Sequence, residues 1–275
     1  MNIKNLFQSI KNFFTLNLDQ YNYIPSTASV DLNIGEKAGI YASSHGNIIA
    51  LERITNIMLR KNVKHIIHLG DIMDEHAGYI ECLDYIFKNP VIKSIVGNHD
   101  LLIVKQDEIH NYEKEYIELA ENAYQKLINH PDLYSKLFKL PSKIDCTYFS
   151  AVHESVQYPY YAKITKLKKK SSEIGKTPDE NLEAIFNSSL EHPYFTGSDH
   201  QAYVINSSKL RKDFIKPGDK INVKGSKIIS VPSISLSKDP NYTHGYCILT
   251  VEEDESLTIE FFDLPDILFS SDDIL

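Results

Sequence analysis

Short apolar runs that stop at glycine-bearing polar turns set the rhythm of the first part of the chain. They are Ala38-Gly39-Ile40-Tyr41-Ala42, His65-Ile66-Ile67-His68-Leu69 and Val91-Ile92-Lys93-Ser94-Ile95-Val96. After the first run, Ile48, Leu51, Ile54 and Met58 recur at helical spacing. A second helix is predicted near 78–87. The order strand, helix, strand, helix, strand implies parallel pairing with right-handed crossovers. The turns after the strands then share one edge of a sheet, where ligands collect in open α/β folds.

Farther along, the pattern predicts helices over 108–128 and 131–138. The segment 105–140 therefore reads as a helical insertion over or beside the strand ends. Tyr148-Phe149-Ser150-Ala151-Val152-His153 reads as a strand closed by a histidine. A polar, Lys-rich loop is expected over 157–180 and a helix near 179–189. Pro193-Tyr194-Phe195-Thr196 then leads into Gly197-Ser198-Asp199-His200. Alternation over 227–231, 246–251 and 257–262, with a hairpin turn at 252–256, predicts a second, more antiparallel sheet. The resulting organisation is an N-terminal extension over 1–36, one α/β domain over 37–263, and a tail over 264–275. Within the extension, Leu6, Ile10, Phe13 and Phe14 sit at helical spacing. Such a helix packs on the domain's own surface or serves a partner contact. No internal repeat interrupts this plan.

Composition narrows the function classes. The 275 residues are 42% hydrophobic and 24% charged, enough for a substantial core. A net charge of -8 argues against nonspecific binding to nucleic acid or an anionic membrane. The run Lys166-Leu167-Lys168-Lys169-Lys170 reads as a solvated loop. Arginine is scarce (Arg53, Arg60, Arg211), which argues mildly against a large polyanionic substrate. Cys82, Cys146 and Cys247 are far apart and odd in number, so neither a disulfide framework nor a zinc knuckle is expected. With no signal-peptide pattern and no membrane-length apolar window, the expected location is the cytoplasm. Oligomeric state stays open, a homo-oligomer included.

The chemistry-bearing side chains gather at the strand ends: His45, Asp71, Asn98, His99, His153 and His200. Carboxylate, amide oxygen and imidazole suit a hard or borderline divalent metal. A carboxylate between two histidine-bearing edges can bridge two ions, which hold both oxygens of an in-line displacement at phosphorus. A histidine outside the ligand set could then protonate the leaving oxygen.

These residues fall into ordered blocks: Ser43-Ser44-His45, Gly70-Asp71-Ile72-Met73-Asp74, Gly97-Asn98-His99-Asp100, His153, and Gly197-Ser198-Asp199-His200. Together they resemble the calcineurin-like metallophosphoesterases. That family's blocks are Asp-x-His, Gly-Asp-x-x-Asp, Gly-Asn-His-Asp/Glu, a lone His and Gly-His-x-His. The resemblance covers about residues 38–263. His45-Gly46-Asn47 and Val231-Pro232-Ser233-Ile234-Ser235 are similar to the bacterial phosphodiesterase-like branch. Glu75-His76 replaces the Arg-Gly usual in the protein Ser/Thr phosphatase branch.

The resemblance implies a four-layer α/β/β/α sandwich of two mixed sheets. It implies two divalent ions, such as Mn, Fe, Ni or Zn, held by His45, Asp71, Asn98, His153 and His200, with Asp71 as the bridge. The remaining ligand positions are Ser43 and Ser198, where the family has Asp and His, so each site has lost a strong ligand. Asp199 stands one residue from the lost histidine. His99 is implied as general acid, oriented by Asp100, and Asp74 as a residue that orients neighbours. His65 and His68 lie inside a strand and are read as packing or edge-exposed residues, and His76 lies near the site without an assigned role. The expected function is hydrolysis of a phosphate ester, in a small molecule or a phosphoprotein, by a phosphatase or phosphodiesterase. The alternative is a degenerate member that binds a phosphorylated ligand or a protein partner.

Overall fold

The structure is a computed structural model that describes residues 25–73, 76–104, 114–153, 192–206, 211–235 and 238–264. Its strands in chain order begin with β1 (Thr27–Ser29), β2 (Lys37–Tyr41), β3 (His65–His68), β4 (Ile92–Ser94), β5 (Lys143–Asp145), β6 (Ser150–Val152) and β7 (Tyr194–Thr196). They continue with β8 (Tyr203–Asn206), β9 (Lys212–Phe214), β10 (Lys220–Val223), β11 (Lys227–Ser230), β12 (Gly245–Val251) and β13 (Leu257–Asp263). The helices are α1 (Ile48–Arg60), α2 (Tyr79–Lys88), α3 (Asn98–Val104), α4 (Lys114–Leu127) and α5 (Pro131–Leu137). No helix among the described residues is long and apolar enough to cross a membrane. Cys82, Cys146 and Cys247 are buried free thiols.

Two mixed sheets stack into an α/β sandwich. The first has the order β10-β13-β12-β2-β3-β4, with β2, β3 and β4 parallel as the βαβαβ pattern predicts. The second has the order β1-β5-β6-β7-β11-β8-β9. Ile40, Ile67, Leu249 and Phe261 of the first sheet meet Ile144, Ala151, Phe195 and Ile229 of the second in one buried core. On its other face the first sheet carries the helices, through Tyr41, Ile66, Tyr246 and Ile248 against Leu51, Ile54, Met58 and Leu83. The helix expected near 179–189 and the loop over 157–180 lie outside the described residues.

Two sequence expectations need correction. β12 and β13 do not join a separate sheet; β12 runs antiparallel to β2, with Cys247 opposite Ile40, and β13 follows it. Of the strands assigned to the second sheet, only β11 belongs there. The clue lies in β12 itself, where Cys247, Leu249 and Val251 face the inter-sheet core while Tyr246 and Ile248 face the helices. Such a two-sided apolar strand marks the middle of the sandwich. Secondly, paired strands begin at Thr27, within the stretch read as an extension: β1 lies parallel to β5, and Val30 and Leu32 just after it are buried. A polar strand of three residues carries no periodicity to read.

Helix α1 sits close on β2 because position 39 has no side chain. A Cβ on Gly39 would lie 2.4 Å from the sulfur of Met58, which is fully buried. Asn47 caps the same helix by accepting from the Ala50 backbone N–H at 3.1 Å. Overpacking by Gly39→Ala should therefore cost about 1–3 kcal/mol in urea unfolding. The same change should cost clearly less in a Met58→Ala background; an equal cost in both backgrounds would place the strain elsewhere.

Candidate functional site

The loops that follow β2, β3 and β4 meet those that follow β6 and β7 at one edge of the sandwich. The first sheet brings His45, Asp71 and Asn98; the second brings His153 and His200. The backbone is bent sharply here. Ser43, His45, Asp71 and His200 all have positive φ, between 42° and 58°, a conformation that non-glycine residues adopt at a cost. Two glycines allow the turns to touch. A Cβ on Gly70 would lie 2.6 Å from the Gly97 nitrogen, and a Cβ on Gly97 would lie 2.1 Å from Asp71 Oδ1.

Beneath these turns lies the buried Asp100 carboxylate. Its Oδ1 accepts from the backbone N–H of Ile72 at 2.9 Å and of Met73 at 3.2 Å. Its Oδ2 accepts from Asp71 at 3.0 Å and from Gly97 at 2.8 Å. Both oxygens therefore hold the two turns together, where the resemblance implied that Asp100 orients His99. Burial and the nearby Asp71 push the Asp100 carboxyl upward, against the pull of those N–H groups.

Asp71 takes the central place. Its Oδ1 accepts the His99 backbone N–H at 2.9 Å. Its Oδ2 lies 3.1 Å from His153 Nε2 and 3.9 Å from His45 Nε2. Burial opposes its ionisation, but His153, His99 and His45 outweigh burial and hold its carboxyl well below the ordinary range.

The tautomers follow from the partners on the far side of each ring. His153 Nδ1 lies 2.5 Å from the Leu69 carbonyl, which only accepts, so Nδ1 carries the proton. In the neutral ring Nε2 then turns its lone pair toward Asp71 Oδ2 and toward Asn98 Oδ1 at 2.9 Å. Three electron-pair donors then converge there, an arrangement that suits a cation. His45 Nδ1 faces the Met73 carbonyl at 3.3 Å, which in the same way turns Nε2 inward. His45, Asp71 and His200 offer ligand atoms all within 4.8 Å of one another. The residues at Asp71 thus fit a divalent metal.

The two serines differ. Ser43 is fully buried and its Oγ has no hydrogen-bond partner. The loop around it is fixed by Ser233, whose Oγ donates to the Ser43 carbonyl at 3.0 Å. Ser198 is partly exposed, and its backbone N–H donates to the His153 carbonyl at 3.0 Å. Asp199 does not replace the missing imidazole, because Tyr203 donates to its carboxylate and Lys212 lies 2.8 Å from it. His99 lies beside the cluster, its ring 5.0 Å from that of His45. His76 is exposed, and Asp74 lies outside the described residues. His68 packs as expected, with Nδ1 2.9 Å from Ser94 Oγ, and burial lowers its pKa to about 3. The carbonyls of Leu69 and Met73 and the role of Ser233 were not foreseen; main-chain acceptors leave no trace in residue identity.

Asp100→Ala would strand four buried N–H donors. It should cost about 3–5 kcal/mol in urea unfolding. Asp100→Asn, which keeps an acceptor oxygen, should cost distinctly less.

A comparison with curated proteins found no match. Among solved structures, a metallophosphoesterase from Sphaerobacter thermophilus shares 19% identity over 85% of this chain and 90% of its own, with a TM-score of 0.63. A second structure, of a protein provisionally assigned as a diadenosine tetraphosphatase, shares 13% identity over 87% of this chain and 99% of its own, with a TM-score of 0.50. At these identities both show the shared fold. The family model described as calcineurin-like phosphoesterase matches residues 42–210, more than half of the chain. With Gly70-Asp71, Gly97-Asn98-His99-Asp100, His153 and His200 folded to one rim, the chain belongs to the calcineurin-like phosphoesterase family.

Proposed function

We propose that this protein hydrolyses phosphoric esters with the help of divalent metal, such as Mn, Fe, Ni or Zn, held by His45, Asp71, Asn98, His153 and His200. The observation that supports the reading most directly is Asp71 Oδ2 flanked by the Nε2 atoms of His153 and His45. Metal bound there supplies Lewis acidity toward a phosphoryl oxygen and makes water a usable nucleophile near neutral pH.

The chain's own groups do the rest. Asp71 keeps its charge and lies between imidazoles whose tautomers are set by the Leu69 and Met73 carbonyls. His99 opens helix α3, tied at its backbone to Asp71 and half-buried beside the cluster. Its ring protonates the departing oxygen, a role that needs a histidine outside the ligand set. Asp100 contributes by fixing the turns that carry Asp71 and Asn98. The substrate is a phosphate ester of a small molecule or of a phosphoprotein, and the buried free thiols agree with a cytoplasmic setting.

A second reading rests on Ser43 and Ser198. Each removes a strong donor from one side of Asp71, and Asp199 is engaged elsewhere. On that reading the protein binds a phosphorylated ligand or a protein partner without turnover.

The purified chain, loaded with Mn, Ni or Zn, should cleave aryl phosphate monoesters or diesters. His99→Ala should lower kcat by about 10²–10⁴-fold for esters with poor leaving groups. The loss should be smaller for p-nitrophenyl esters, whose leaving group needs no proton. No activity with any of these metals, together with no effect of His99→Ala, would leave the binding reading in its place.

A further inference from the structure

Among the described residues, the site has two sets of neutral donors but a single carboxylate. His45 and His200 group with Asp71 in one set of donors, and His153 meets Asn98 and Asp71 in another. The first set offers two imidazoles, and the fully buried Ser43 hydroxyl, which has no hydrogen-bond partner, belongs to the same loop as His45. The second set offers one imidazole and one amide oxygen, with Ser198 at its remaining position. An imidazole is a stronger neutral donor than an amide oxygen, so a divalent first-row ion favours the first set.

Charge then decides how many ions stay. One divalent cation on Asp71 leaves a net charge of +1 in a buried place. A second would bring two further positive charges next to the first, with no anion of its own among the described residues. The other nearby carboxylates do not help. Asp100 is held under the turns by four backbone N–H groups, and Asp199 is held by Lys212 and Tyr203.

We propose that this chain holds one divalent ion by itself, at His45, Asp71 and His200, and that the second position beside Asn98 and His153 fills only together with a phosphate-bearing ligand. The phosphate supplies negative charge that the described residues around Asp71 lack, and its oxygens offer the donors that Ser43 and Ser198 do not. This inference rests on the metal-dependent reading given above, and it makes the second ion a companion of the substrate. Metal and phosphate then bind cooperatively, each raising the other's affinity by the same factor.

Equilibrium dialysis of the metal-free full chain against Mn²⁺, with and without inorganic phosphate, tests it, and the Mn²⁺ EPR spectrum reports whether bound ions are isolated or coupled. The expected result is one tightly bound, magnetically isolated ion without phosphate and two coupled ions with it. His200→Ala should weaken the first ion at least tenfold. His153→Ala should leave that first ion in place and remove the phosphate-dependent one. Ser43→Asp, which restores a charge, should let two ions bind without phosphate. Circular dichroism confirms that each variant is folded before it is read. Two ions of similar affinity in the absence of phosphate would overturn the proposal while keeping the metal-dependent reading. So would a first ion lost in His153→Ala but kept in His200→Ala. No bound Mn²⁺ under either condition would overturn both.

Discussion

One carboxylate underneath the site gives the rest its shape. Asp100 gathers four backbone N–H groups from two separate turns, so the ends of β3 and β4 are held in one register. A buried carboxylate is expensive to desolvate, and only such dense hydrogen bonding offsets that cost. The glycines at 70 and 97 make the approach possible, since any side chain at either position would collide with the other turn or with Asp71. Asp71 then reaches its place between the histidines as a consequence of backbone held from below. The division of labour between the two acids is thus positional. Asp100 faces peptide N–H groups and Asp71 faces imidazoles, and the same burial that raises one carboxyl is outweighed at the other.

The sequence made the first half of this architecture easy to read. Strands β2, β3 and β4 are apolar runs stopped by glycine or polar turns, and the helices between them keep the 3.6-residue period. Physical reasons account for what was misplaced. Alternation fixes which way a side chain points, not which strand lies next door, so it does not place β12 beside β2 or β13 beside β12. Strands β1, β5 and β9 have three residues each, too few for any period to register.

The site was legible at the level of residue type and opaque at the level of partners. His45, Asp71, Asn98, His153 and His200 do converge, as motif order implied. What each faces on its far side was hidden, because the partners are largely main-chain: the carbonyls of Leu69 and Met73, and the N–H groups above Asp100. Asp199 shows the limit of spacing arguments most clearly. It stands next to the position of a lost ligand, yet it is drawn off by Lys212 and Tyr203, residues of strands β9 and β8 whose pairing no motif announced.

The donors on the His45 side come from both layers of the sandwich. His45 and Asp71 hang from the first sheet, and His200 follows a strand of the second. A cation gripped by all three would therefore add a cross-link to layers that already touch at that edge through His153 on the Leu69 carbonyl and Ser233 on the Ser43 carbonyl. Its binding energy would then add to the cohesion of the two sheets. The rim proposed to bind metal would double as a rivet of the fold.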